Sequence, residues 1–183
     1  MPHIRIRLGH YLTCGTDYAV ADSEAEGPEK ILRMVLELSD DMPDKADLLD
    51  NCGAGFYRNV FDNTNRKEDL DNCILAYESA VHLTPQGHSD MPRQLNNLGN
   101  AFHCRFNLAG DLTDISEAIS HLQRAVHFTP EGHAYMPGWL NDLGNSFLCH
   151  SKRTRDLADI SNAISHQQKA VHLTPEDHAC LPR

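Results

Sequence analysis

The chain has 183 residues, with 16 Lys and Arg against 26 Asp and Glu and a formal net charge of -10. Such a field repels a nucleic-acid backbone and an anionic membrane surface, so neither is expected as a ligand. An apolar fraction of 40% beside 23% charged residues is that of a folded protein rather than a disordered one. No run of roughly 18 apolar residues offers a membrane span, and residues 1–8 (MPHIRIRL) lack the apolar centre of a secretion signal. The six cysteines, Cys14, Cys52, Cys73, Cys104, Cys149 and Cys180, include no Cys-x-x-Cys pair. They read as free thiols in a reducing compartment, cytoplasmic or nuclear.

Taken in chain order, residues 1–41 read as a degenerate helix pair. Ile4, Leu8, Gly9 and Leu12 pattern as a short first helix, Thr16 to Pro28 as an acidic connection, and Ile31 to Leu38 as a second helix. From there the chain repeats itself. The phrase AVHLTP at 80–85 returns as AVHFTP at 125–130 and AVHLTP at 170–175, and LNNLGNAF at 95–102 returns as LNDLGNSF at 140–147. A fixed period of 45 residues marks a stacked array, whose units bury their apolar faces against their neighbours. The units fall at 42–86, 87–131 and 132–176, with 177–183 aligning with the start of another.

The unit at 87–131 is the best formed. Pro92 suits a first helical turn, and Leu95, Leu98, Phe102 and Phe106 follow at spacings of three and four, one face of a helix. Ala109-Gly110 breaks the pattern. Asp111 stands where an N-cap is wanted, with Asp114 in the first turn beyond it. Ile115, Ala118, Ile119, Leu122, Ala125, Val126 and Phe128 make a second, broader stripe that ends at Thr129-Pro130. The next unit repeats these signals with Pro137, Leu140, Leu143, Phe147, Asp156, Asp159, Ile160, Ala163, Ile164, Ala170, Val171 and Leu173. The unit before is looser: Leu49, Cys52 and Phe56, then Leu70, Ile74, Tyr77, Ala80, Val81 and Leu83, with one extra residue in the loop Asp62–Arg66. Gly53, Gly99 and Gly144, with Ala80, Ala125 and Ala170, predict close helix approach, since glycine inside a helix otherwise costs ~1 kcal/mol.

Leu95, Leu98-Gly99 and Phe102 in the first helix, then Ala118, Leu122, Ala125 and Pro130 in the second, resemble the tetratricopeptide (TPR) repeat. The resemblance implies an all-α, right-handed superhelical solenoid of antiparallel helix pairs, about four units long. The usual repeat has about 34 residues, and the longer period predicts that the extra residues lie in the loops. The long period and the Leu-Thr-Pro-x-Gly-His phrase resemble fungal arrays that often precede a caspase-like CHAT peptidase domain. The Leu-Gly-Asn triplets resemble adaptors of the kinesin light chain type.

The resemblance implies that the first helices line a concave groove. Carried over position by position, its lining is Asp47, Asp50, Tyr57 and Arg58, then Arg93, Asn96, Asn100 and His103, then Asn141, Asn145 and Cys149. The expected function is non-catalytic: a scaffold that grips an extended or helical segment of a protein partner, a basic one given the net charge. The alternatives implied are a regulatory segment of a CHAT-type peptidase or a cargo adaptor. Asn96, Asn100, Asn141 and Asn145 predict a ladder of amides, each bearing donors and an acceptor suited to peptide backbone.

Twelve histidines are unusual, and His82, His127 and His172, like His88, His133 and His178, recur with the period. Equivalent residues of stacked helices stand ~10 Å apart, too far to share an ion, so no metal or other cofactor is expected. The loop histidines are predicted to bond helix-ending carbonyls. Cys104 and His103 are neighbours on a helix and point about 100° apart, which leaves only a couple across units, such as Cys149 with His103. No nucleophile elbow, phosphate loop or zinc-protease helix is present. Trp139 is predicted to pack on the connection before it. The last second helix predicts an undercovered apolar face at Ile164, Val171 and Leu173, and so a longer array or end-to-end self-association.

Overall fold

The computed structural model describes residues 27–59 and 66–174, and these are all-helical: seven α-helices and no strand among the described residues. The chain divides into two compact units, Met1–Leu83 and Thr84–Arg183. The first helix expected near Ile4–Leu12, most of the acidic connection, nearly all of the 62–66 loop, and the segment 177–183 lie outside the described residues.

The first unit contains α1 (Pro28–Leu36), α2 (Lys45–Asn59) and α3 (Lys67–Leu83). Leu32 and Val35 of α1, Leu49 and Phe56 of α2, and Leu70, Cys73, Ile74 and Tyr77 of α3 are buried. Each large apolar side chain removed from water in this way contributes about 1.5–3 kcal/mol. Beyond α1, Lys45 lies 4% exposed, with its ammonium on the carbonyls of Leu36 and Leu38 and on the Asp40 carboxylate. A cation at the negative end of a helix satisfies carbonyls that the helix leaves unpaired. Its hydrogen bond and charge hold Asp40 below the usual carboxylate range.

The second unit contains α4 (Met91–Ala109), α5 (Leu112–Phe128), α6 (Met136–Thr154) and α7 (Leu157–Leu173). Pro sits in the first turn of α4 and of α6. Gly110, with φ 75, ends α4 in a left-handed conformation, its N–H donating to Phe106 O at 2.7 Å. The Asp111 and Asp156 carboxylates then accept the N–H groups of Thr113 and Ala158 at 2.9 and 2.8 Å, the N-caps of α5 and α7. Contacts run in opposite senses along each pair: Arg105 meets Asp114, Phe102 stacks on His121, and Gly99 faces Leu122. In the next pair His150 meets Asp159, Phe147 stacks on His166, and Gly144 faces Gln167. Both pairs are therefore antiparallel.

The α5 stripe packs on the following pair. Leu122, Leu143, Phe147 and Ala163 form one apolar cluster, with Ile119, Val126 and Leu148 against it. Met136, Leu140 and Ala170 form another, also touching Val126. The corresponding face of α7 is exposed at Ile160, Ile164 and Val171, and Leu157 and Leu173 at its ends are exposed like their α5 equivalents Leu112 and Phe128.

Two expectations are corrected. The extra length does not lie in the loop between paired helices: only Gly110 and Asp111 separate α4 from α5, while helices of 19 and 17 residues already exceed the usual repeat and residues 129–135 connect to the next pair. Nor do the loop histidines bond helix-ending carbonyls. Thr129 and Thr174 do so, their hydroxyls donating to Ala125 O at 2.6 Å and Ala170 O at 2.8 Å. His88 and His133 instead accept, through Nδ1, the N–H groups of Asp90 and Tyr135 at the entry to the next helix. Gly87 and Gly132, with φ 87 and 78, make the turn that brings each imidazole there.

Candidate functional site in the first helices of the second unit

In the second unit α4 and α6 meet along a line of polar side chains. The Asp142 carboxylate of α6 accepts from Asn96 Nδ2 at 3.1 Å and from Asn100 Nδ2 at 3.0 Å, both on α4. Asn100 also reaches Asn96 Oδ1 at 3.4 Å. One turn along α6, the Ser146 hydroxyl donates to the carbonyl of Asp142 at 3.0 Å and stands 2.8 Å from His103 Nδ1. The other imidazole nitrogen, Nε2, lies 3.7 Å from the Cys149 sulfur. Arg153 closes the line with a 3.4 Å contact to the Gly110 carbonyl.

The helical register explains the row. Positions 96, 100 and 103 on α4, and 142, 146 and 149 on α6, are spaced by three and four, so each set shares one face. Burial lowers the pKa of His103, and the Asp142 charge opposes this by favouring the imidazolium. Elsewhere in the unit, burial drives His121 down to about 4, helped by Arg124, and lowers His166 as well.

Most of the groove residues named from the sequence in this unit fall on or near this line. Asn96 is buried and Asn100 half-buried, both bound to Asp142, so two rungs of the expected ladder serve a carboxylate. Asn145 is half-buried and accepts from Gln167 Nε2 of α7 at 3.0 Å. Asn141 is exposed, and Arg93 is half-buried with Asp90 at 3.8 Å. In the first unit Asp47 and Arg58 are exposed, Tyr57 is half-buried and Asp50 is buried. Trp139 is buried and stacks on His133, as its packing on the preceding connection requires. Among the described residues, no three His, Cys, Asp or Glu side chains converge as a metal site would need.

Sequence reasoning missed Asp142 and Ser146, although the signal was present. The phrases LNNLGNAF and LNDLGNSF differ at two positions, and these are the two residues that tie α6 to α4. Each has a side-chain partner on α4, which the repeat alone does not reveal.

No protein-family model matches this chain, and no curated protein matches it. No helix among the described residues is long and apolar enough to cross a membrane.

Proposed function

We propose that the chain is a non-catalytic, TPR-like interaction scaffold. In this reading its helix pairs stack as a right-handed solenoid, and the first-helix wall binds an extended or helical segment of a basic protein partner. The observation that carries it is the Asp142 carboxylate, held by two amide donors on the α4–α6 line. A carboxylate has about four acceptor sites. Two are occupied here by neutral donors, which leaves its charge uncompensated by them and capacity for a Lys, Arg or backbone N–H of a ligand. The net charge of -10 draws a basic segment toward the chain. In this reading the exposed Asn141, one residue before Asp142, offers the ligand a further polar group. The four described cysteines are free thiols, which supports a cytoplasmic or nuclear setting. Copies pairing end to end through the exposed α7 face would extend the array.

Displayed random peptides selected on the full chain test the wall. Selected peptides are expected to be basic and to bind Asp142→Asn at least ~10-fold more weakly, the range of a charge-assisted hydrogen bond lost with its partner. Peptides that are not basic, or that bind Asp142→Asn and Asn141→Ala as tightly as the unchanged chain, overturn the reading.

A further inference from the structure

The Cys149–His103–Ser146 row has an internal logic that peptide binding does not use. Ser146 has one hydroxyl proton, and it is donated to the Asp142 carbonyl at 3.0 Å. Its oxygen can therefore only accept from the imidazole 2.8 Å away, which places the ring proton on His103 Nδ1. The lone pair is left on Nε2, the atom facing the Cys149 sulfur at 3.7 Å. A thiol, a base within reach, and a third group that fixes the base's tautomer form the arrangement that activates a sulfur nucleophile. Burial lowers the pKa of His103, and the Asp142 charge on the same line opposes that by favouring the imidazolium that forms when His103 takes the proton. Cys149 is half-buried rather than sealed.

We infer that Cys149 is a reactive thiol and a site of mixed-disulfide formation with low-molecular-weight disulfides. This is independent of the peptide-binding reading. His103 Nε2 takes the thiol proton, and the Cys149 thiolate attacks one sulfur of R–S–S–R along the axis of its bond. The Cys149–S–S–R bond forms as the original S–S bond breaks. The departing RS⁻ receives the proton from His103 and leaves as RSH. The two electrons that Cys149 gives up reduce the departing sulfur, so the external disulfide is the only oxidant required. Cys52 marks the opposite extreme: burial pushes its thiol up to about 11, which leaves it protonated and inert.

The test follows each cysteine of the full chain by peptide mass spectrometry during timed reaction with iodoacetamide at pH 7, then with glutathione disulfide. Cys149 is expected to react ~10-fold faster than Cys104, the residue at the same register one repeat earlier, because the His103 imidazole stands within reach to take its proton. It should be the first site to gain a glutathionyl group. His103→Gln should bring Cys149 down to the Cys104 rate, and Ser146→Ala should slow it several-fold by freeing the tautomer. Equal rates for Cys149 and Cys104 in the unchanged chain, or a Cys149 rate indifferent to both variants, overturn the inference. If His103→Gln unfolds the chain, Cys52 accelerates with the rest. The decision then passes to Ser146→Ala, and a Cys149 rate that this variant leaves unchanged counts against the inference.

Discussion

The pairs α4–α5 and α6–α7 share lengths, N-caps, first-turn prolines and a left-handed stop, yet they fill equivalent positions differently. Gly110 ends α4 at φ 75, whereas Arg155 ends α6 at φ 64. The Arg105–Asp114 contact at 2.7 Å becomes His150–Asp159 at 2.6 Å. Leu122, fully buried between its own α4 and the next α6, becomes half-buried Gln167 on α7, whose outer stripe is exposed. The backbone thus answers to a few signals that both copies keep. The filling answers to what lies over each helix, and here the copies diverge.

The contrast is broken most forcefully at Leu122. Leu122→Ala empties a fully buried site in contact with Leu143 and Phe147 and is expected to cost about 2–5 kcal/mol. Gln167→Ala loses one hydrogen bond at a partly exposed position, about 1 kcal/mol. Urea unfolding of both variants measures the gap, and equal costs would mean that α6 does not enclose Leu122.

A smaller difference is expected at the glycines. A Cβ at Gly99 would lie 2.7 Å from Leu122 Cγ, on a locked side chain, whereas at Gly144 the 2.8 Å neighbour is Cγ of a more exposed glutamine that can swing aside. Overpacking costs ~1–3 kcal/mol, against a helix-propensity gain of ~1 kcal/mol for Ala over Gly. Gly99→Ala should therefore lose about 1 kcal/mol more than Gly144→Ala, read from thermal midpoints.

The third effect is smaller again and sharpens the comparison of the stacked histidines. His121, on Phe102, is pushed from 6.5 to about 4 by burial and by Arg124, with Glu117 at 3.7 Å from its ring. His166, on Phe147, is lowered by burial and by Lys169. A base with a depressed folded pKa binds fewer protons folded than unfolded, so stability is full above pH 6.5 and declines as pH falls toward 4. The thermal midpoint should drop between pH 7 and 5, above the carboxylate range. His121→Phe should flatten that decline more than His166→Phe.

Much of the fold was legible because its signals are local. The Asp111 and Asp156 caps, the prolines of the first turns and the three-and-four spacing of Leu95, Leu98 and Phe102 each act within one or two turns. The loop between paired helices misled because the repeat length was compared with a shorter one, when surplus residues also extend helices whose own hydrogen bonds support them. His88 and His133 misled because imidazole donates or accepts according to its tautomer, which the turn decides. Along the α4–α6 line the shared helix face of Asn96, Asn100 and His103 was legible, but not that Asp142 occupies two of its amides.

The 45-residue period, the helical character of each stripe and the glycines at close approach follow from composition and spacing, since backbone propensity and apolar periodicity are written along the chain. Which amides hold a carboxylate, which imidazole nitrogen keeps its proton and which sulfur it faces depend on residues 42 to 46 positions apart. Those pairings arise only when α6 lies beside α4, because a hydrogen bond needs its partners within about 3 Å and sequence order does not supply that distance.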